Sequence, residues 1–181
     1  MNPGYVIGLI ISGILMMSIA ALTIRMGESS GRVLLYYTAR VEHQTAVDWL
    51  KQDIRLAGYR VESHQPGILQ ADNTSIMLMI FRDDETQPSL ITWKTEEAIG
   101  DKIHLVRIEN DQQFVVHRNI KDVDFIFMNA EGQTVSGDQL SEIRRINIKL
   151  ESVPRENWGR KQLVTRYEAT LSPANLVLKG N

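Results

Sequence analysis

The chain has 181 residues, with 20 Lys or Arg against 22 Asp or Glu. Its formal net charge of −2 gives no electrostatic case for nucleic acid or an anionic surface. Cysteine is absent, which excludes disulfides, thiol catalysis and cysteine-built zinc or iron–sulfur centres. Hydrophobic residues make up 43%, in keeping with one membrane span plus the core of one ordinary domain.

From Tyr5 to Ile24 every residue is apolar, small or a hydroxyl. About twenty helical residues rise about 30 Å, the thickness of a bilayer's hydrocarbon core. A cleaved signal peptide would have a shorter apolar region preceded by positive charge. Here no Lys or Arg precedes the run, so a retained transmembrane helix over residues 1–26 is expected. Gly4, Gly8 and Ser12 recur at every fourth position, and with Tyr5 they mark a candidate surface for close helix packing and assembly. Glycine is also simply common in membrane helices, which leaves a second reading of the same stripe. Arg25, Arg32 and Arg40 follow the span, and the positive-inside rule alone would put the rest of the chain in the cytoplasm.

Residues 27–60 read as the amphipathic half of the same helix. Gly27 and Gly31 weaken it by about 1 kcal/mol each and mark a candidate hinge. Beyond them Val47, Leu50, Ile54 and Ala57 fall on one face, while Asp48, Lys51, Gln52 and Arg55 lie largely opposite. Gly58 is the expected C-cap.

Residues 61–181 change in pattern. "SHQPGILQADNTS" is rich in turn formers and reads as a loop. Short β-prone runs follow at 75–81, 89–94, 102–108, 113–118, 123–128, 143–150 and 163–171, punctuated by Asp83-Asp84, Gly100-Asp101, Asn110-Asp111 and Glu131-Gly132. Ile146, Ile148 and Leu150 alternate onto one face. Strands joined by hairpin-length loops, with no further long helix, predict an antiparallel sheet. One face of that sheet needs a cover, and the stripe formed by Val47, Leu50, Ile54 and Ala57 needs a partner. The expected fold is therefore α+β, a long N-terminal helix packed on an antiparallel sheet.

Two stretches give this plan a family likeness. "VDWLKQDIRLAGYRV" is similar to the "l..DiR.AGy" that closes the first helix in PilW-type minor pilins and J-type pseudopilins. "VVHRNIKDVDFIFMNAEGQTVSGDQLSEIRRINIKLES" is similar to their C-terminal half, and "VTRYEATLSPANL" to their last strand. Over most of its length the chain resembles the type IV pilin and type II secretion pseudopilin superfamily. The resemblance implies a single-pass subunit of the inner membrane with its sheet domain outside the cytoplasm, in a pilus or pseudopilus. Other pilin or pseudopilin subunits would be its partners. Gly4-Tyr5 matches the family's Gly-aromatic junction, but Leu9 stands where the family carries a glutamate, and Met1-Asn2-Pro3 lacks the basic leader. A start lying upstream would account for the missing charge and for the orientation signal.

Chemistry is sparse. His43, His64, His104 and His117 show no ligand spacing and are expected not to cluster, so no metal site is expected. Asp83-Asp84-Glu85 reads as a solvated turn, and no P-loop, Rossmann or nucleophile-elbow pattern occurs. Arg144-Arg145 and Arg160-Lys161 with Trp158 would form a basic, aromatic surface for single-stranded DNA, or ordinary surface charge. The expectation is a structural subunit with no catalysis, cofactor or small-molecule substrate. The alternatives are a membrane-anchored module that captures DNA, a surface or a secreted substrate, and, last, a tethered enzyme.

Overall fold

The computed structural model describes residues 3–59, 67–82, 87–98, 103–153 and 164–173, and within the helix it does not describe the side chains of residues 3 and 5. Expectations placed on His64, Asp83-Asp84, Gly100-Asp101, Trp158 and Arg160-Lys161 lie outside the described residues. The chain divides into two compact units, Met1–Thr38 and Ala39–Asn181. One helix, α1 (Pro3–Leu56), begins in the first and ends in the second. Proline stands at its first position, where the missing N–H would have had no helical partner anyway.

From residue 6 to residue 24, within the first unit, α1 carries no charged side chain on any side. Its most apolar stretch reaches a mean hydropathy of 2.4, and none of that stretch is buried. The helix is thus long and apolar enough to span a membrane. Two of its hydroxyls turn inward on their own backbone: Ser18 Oγ donates to Ile14 O at 2.9 Å and Thr23 Oγ1 to Ile19 O at 2.9 Å. Bonding within the helix removes the need for water that these groups would otherwise have.

In the second unit the helix is one-sided. Its buried positions are His43, Ala46, Val47, Leu50, Asp53, Ile54 and Ala57, a repeat of three and four residues. The helix ends as glycine allows: Gly58 has φ 76°, and its N–H donates to Met79 O at 2.9 Å. A Cβ on Gly67 would lie 2.6 Å from Gly58 N, so the chain returning from the helix needs glycine there.

Seven antiparallel strands lie side by side in chain order: β1 (Ile68–Asp72), β2 (Ser75–Ile80), β3 (Ser89–Glu97), β4 (Ile103–Glu109), β5 (Gln112–Met128), β6 (Arg145–Ser152) and β7 (Thr165–Leu171). Asn110 and Asp111, with φ of 47° and 67°, make the two-residue turn between β4 and β5. Strand β5 is long because it serves two neighbours. Residues 112–120 pair with β4, the register shifts between Ile120 and Asp122, and residues 120–128 pair with β6. Past that bulge, Phe125 N donates to Asn73 O in the β1–β2 turn at 2.9 Å, which curls the sheet toward its first hairpin.

Two sequence expectations are corrected here. Residues 68–72, read as part of a loop, form β1. The runs 113–118 and 123–128, read as separate strands, are one strand bent at a bulge. The helix covers one face of the sheet, giving an α+β fold. Val47, Leu50, Ile54 and Ala57 are at most 1% exposed and join Ile76, Leu78, Ile91, Trp93, Leu105, Phe125, Ile148 and Leu150 in one core.

Candidate functional site

Each unit of the chain offers a candidate surface. In the first, Gly4, Gly8 and Ser12 lie in α1 and are exposed. A Cβ placed on Gly8, Gly27 or Gly31 would meet nothing within 4 Å, so these positions are open to an approaching helix. Tyr5 is helical, and its side chain lies outside the described residues. At Gly27 and Gly31, the candidate hinge, the helix runs on without interruption.

In the second unit the helix–sheet contact carries a polar cluster. Asp53 stands on the apolar stripe, three residues after Leu50, and is 6% exposed. Its carboxylate accepts from Trp93 Nε1 at 2.8 Å and from Arg107 Nε at 2.7 Å through Oδ2, and from Arg107 Nη2 at 3.2 Å through Oδ1. Trp93 and Arg107 are register partners on β3 and β4, so their side chains share a face. Arg107 Nη1 donates to Glu109 Oε2 at 2.6 Å, and Arg82 Nη2 reaches Glu109 Oε1 at 2.5 Å. Burial disfavours the charge on Arg107, but its hydrogen bonds to Asp53 and Glu109 outweigh that and hold its pKa above the ordinary value. Trp49 lies near the guanidinium, whose carbon is 5.8 Å from the ring centre. A cavity of about 250 Å³ opens here, lined in part by Trp49, Gln52, Leu56 and Ile80 beside the charged residues. Two guanidiniums and two carboxylates balance, so the cavity has no preference for a polyanion. Both of its acids are paired with arginines.

A second polar pocket of the core involves histidines, and it corrects the expectation that they do not cluster. His43 on α1 and His117 on β5 meet edge to face with ring centres 5.9 Å apart. His43 Nδ1 lies 2.7 Å from Ser152 Oγ. A serine and histidine at that distance have the spacing of a nucleophile and its base. Here both are at most 5% exposed, and neither lines the cavity beside Asp53. His104 stands apart, bonded through Nδ1 to Arg118 O at 2.9 Å. Among the described residues, no group of three or more His, Cys, Asp or Glu could hold a metal ion.

The sequence held a signal for both clusters that the reading of α1 passed over. His43 and Asp53 are polar residues at stripe positions, four before Val47 and three after Leu50. A polar side chain on an apolar face requires a buried partner. Lys51 also departs from its expected place on the opposite face. It is half-buried, with Nζ 4.7 Å from the centre of the Tyr167 ring. Arg144, assigned to a basic surface, instead spends Nη1 on the carbonyls of Ser141 and Ile143.

No family model matches the chain, and no curated protein matches it in sequence.

Proposed function

We propose that this chain is a structural subunit similar to minor pilins and pseudopilins, working by shape and helix packing and without catalysis. The observation that carries this reading is a single helix whose first part is apolar and unburied while its last part is docked on an antiparallel sheet. An anchor alone needs a span and a linker. Here the helix that carries the span also supplies the stripe docked on the sheet. In this reading residues 1–26 lie in the inner membrane, the sheet unit lies outside the cytoplasm, and sister subunits pack along Gly4, Tyr5, Gly8 and Ser12. Gly27 and Gly31 let the helix bend during packing.

The topology is open to direct test. A phosphatase fused after Asn181, active only outside the cytoplasm, is expected to be active, and the matching cytoplasmic reporter silent. The reverse pattern would follow the arginines after the span and would overturn the proposal.

A further inference from the structure

The helix–sheet contact has a polar group near each end, Asp53 toward the C-terminus of α1 and His43 at the first buried position of the helix. The two are built differently. Asp53 is charged and held by a charge of opposite sign. His117 is arranged for the neutral state alone. His117 Nδ1 accepts the N–H of Asn119 at 3.1 Å, so Nδ1 carries no proton and the proton sits on Nε2. Nε2 is itself buried, with no hydrogen-bond partner among the described residues. Protonating the ring would set a new N–H against the Asn119 N–H and would bury a charge facing a second imidazole.

We propose that His43 and His117 form an acid-sensitive latch, closed at neutral pH and opened by protonation, which frees the first packed turns of α1 from the sheet while Asp53 and Arg107 hold the other end. Among the described residues, no carboxylate pairs with either ring. Beside His117 on β4 lies Leu105, and beside Ser152 on β7 lies Thr165. The ionisable side chains Arg118, Lys121, Glu151 and Arg166 belong to the opposite face, where Glu151 pairs with Lys121 and Arg166. On the inner face β7 presents Tyr167, next to Lys51. On α1 itself Arg40 is exposed and Glu42 half-buried. Burial, then the neighbouring His43, lowers the pKa of His117 from 6.5 to about 4, and burial lowers that of His43. Both rings therefore bind protons more weakly closed than open. The latch is fully held above the ordinary histidine pKa of about 6.5, and it is lost progressively as pH falls from there toward about 4.

The chain has no cysteine, so two introduced ones can be spin-labelled uniquely. Thr45→Cys and Arg118→Cys, in the full-length chain in detergent, place labels on the outer sides of the helix and the sheet. Expected is one short distance at pH 7.5 and a second, longer population growing between pH 6.5 and 4, with the circular-dichroism signal of the sheet retained. His43→Gln combined with His117→Phe removes both ionisable rings and should abolish the longer population. If the double variant does not fold at pH 7.5, either single variant should open with a shallower pH dependence than the wild type, because one ionisable ring is left. An unchanged distance down to pH 4 would overturn the latch. So would the same opening in the variants, or loss of the sheet signal together with the opening, which is general acid unfolding.

Discussion

Residues 6–26 and residues 43–57 share one helix through Leu56, yet they follow opposite rules. The first stretch is exposed and, up to Ile24, uncharged all round, and its Ser18 and Thr23 bond to their own backbone. The second is apolar on one stripe, and its two polar stripe residues, His43 and Asp53, find partners on the sheet. Helix formation is common to both, so secondary structure does not tell them apart. What differs is where the apolar surface lies: in the chain's own core at one end, and exposed on a stretch long and apolar enough to span a membrane at the other.

Substitutions that break the division should rank by which stretch they strike. Leu50→Asp has the largest expected effect, because it sets an unpaired carboxylate in a fully buried position. It should destabilise the sheet unit by more than the roughly 2–5 kcal/mol of a Leu→Ala truncation, whereas Thr45→Ala on the exposed face should be nearly neutral. Equal denaturation midpoints for the two would mean that the stripe is not docked.

Arg107→Met comes next. It leaves the Asp53 carboxylate buried without its counter-charge and should cost about 3–5 kcal/mol. Adding Asp53→Leu should recover most of that loss, less the roughly 1 kcal/mol for the Trp93 Nε1–H, which then has no acceptor. A double variant as unstable as Arg107→Met would show that the cluster acts through packing rather than through its charges. Thermal or urea unfolding of both variants measures the difference.

The smallest effect on the sheet unit should come from Gly27→Ala combined with Gly31→Ala. Both positions are open and helical, so the helix gains about 1 kcal/mol at each and the core is untouched. An unchanged unfolding transition of the sheet, together with reduced co-purification of partner subunits, would support bending at these glycines. Full co-purification would leave them as ordinary helix positions.

The parts of this fold legible in the sequence were those where one local rule was enough. The stripe formed by Val47, Leu50, Ile54 and Ala57, the cap at Gly58 and the turn at Asn110-Asp111 each follow from spacing or from a residue's backbone freedom. Strand β1 was not legible, because Pro66-Gly67 and Asn73-Thr74 crowd a five-residue strand with turn formers. Gly67 lies tight against Gly58, and Asn73-Thr74 turn the chain into β2. The unity of β5 was hidden because the bulge at residues 120–122 interrupts the alternation that marks a strand. The site was less legible than the fold. Asp53 and Arg107 are 54 positions apart and meet only when the sheet has placed β4 under the helix. His43 and Ser152 are 109 apart. Local spacing carries no information about such pairs, although a polar residue on an apolar stripe announces that one must exist.

The central claim is that the exposed apolar part of α1 is an assembly surface as well as a span, and photo-crosslinking in native membranes tests it most directly. A photoreactive residue at Ser12, beside the open Gly8, is expected to capture another pilin-like subunit, and Gly8→Leu is expected to reduce that capture while membrane insertion and abundance stay the same. Capture of lipid alone, or undiminished capture of the same subunit in Gly8→Leu, would contradict the claim and reduce the span to a tether.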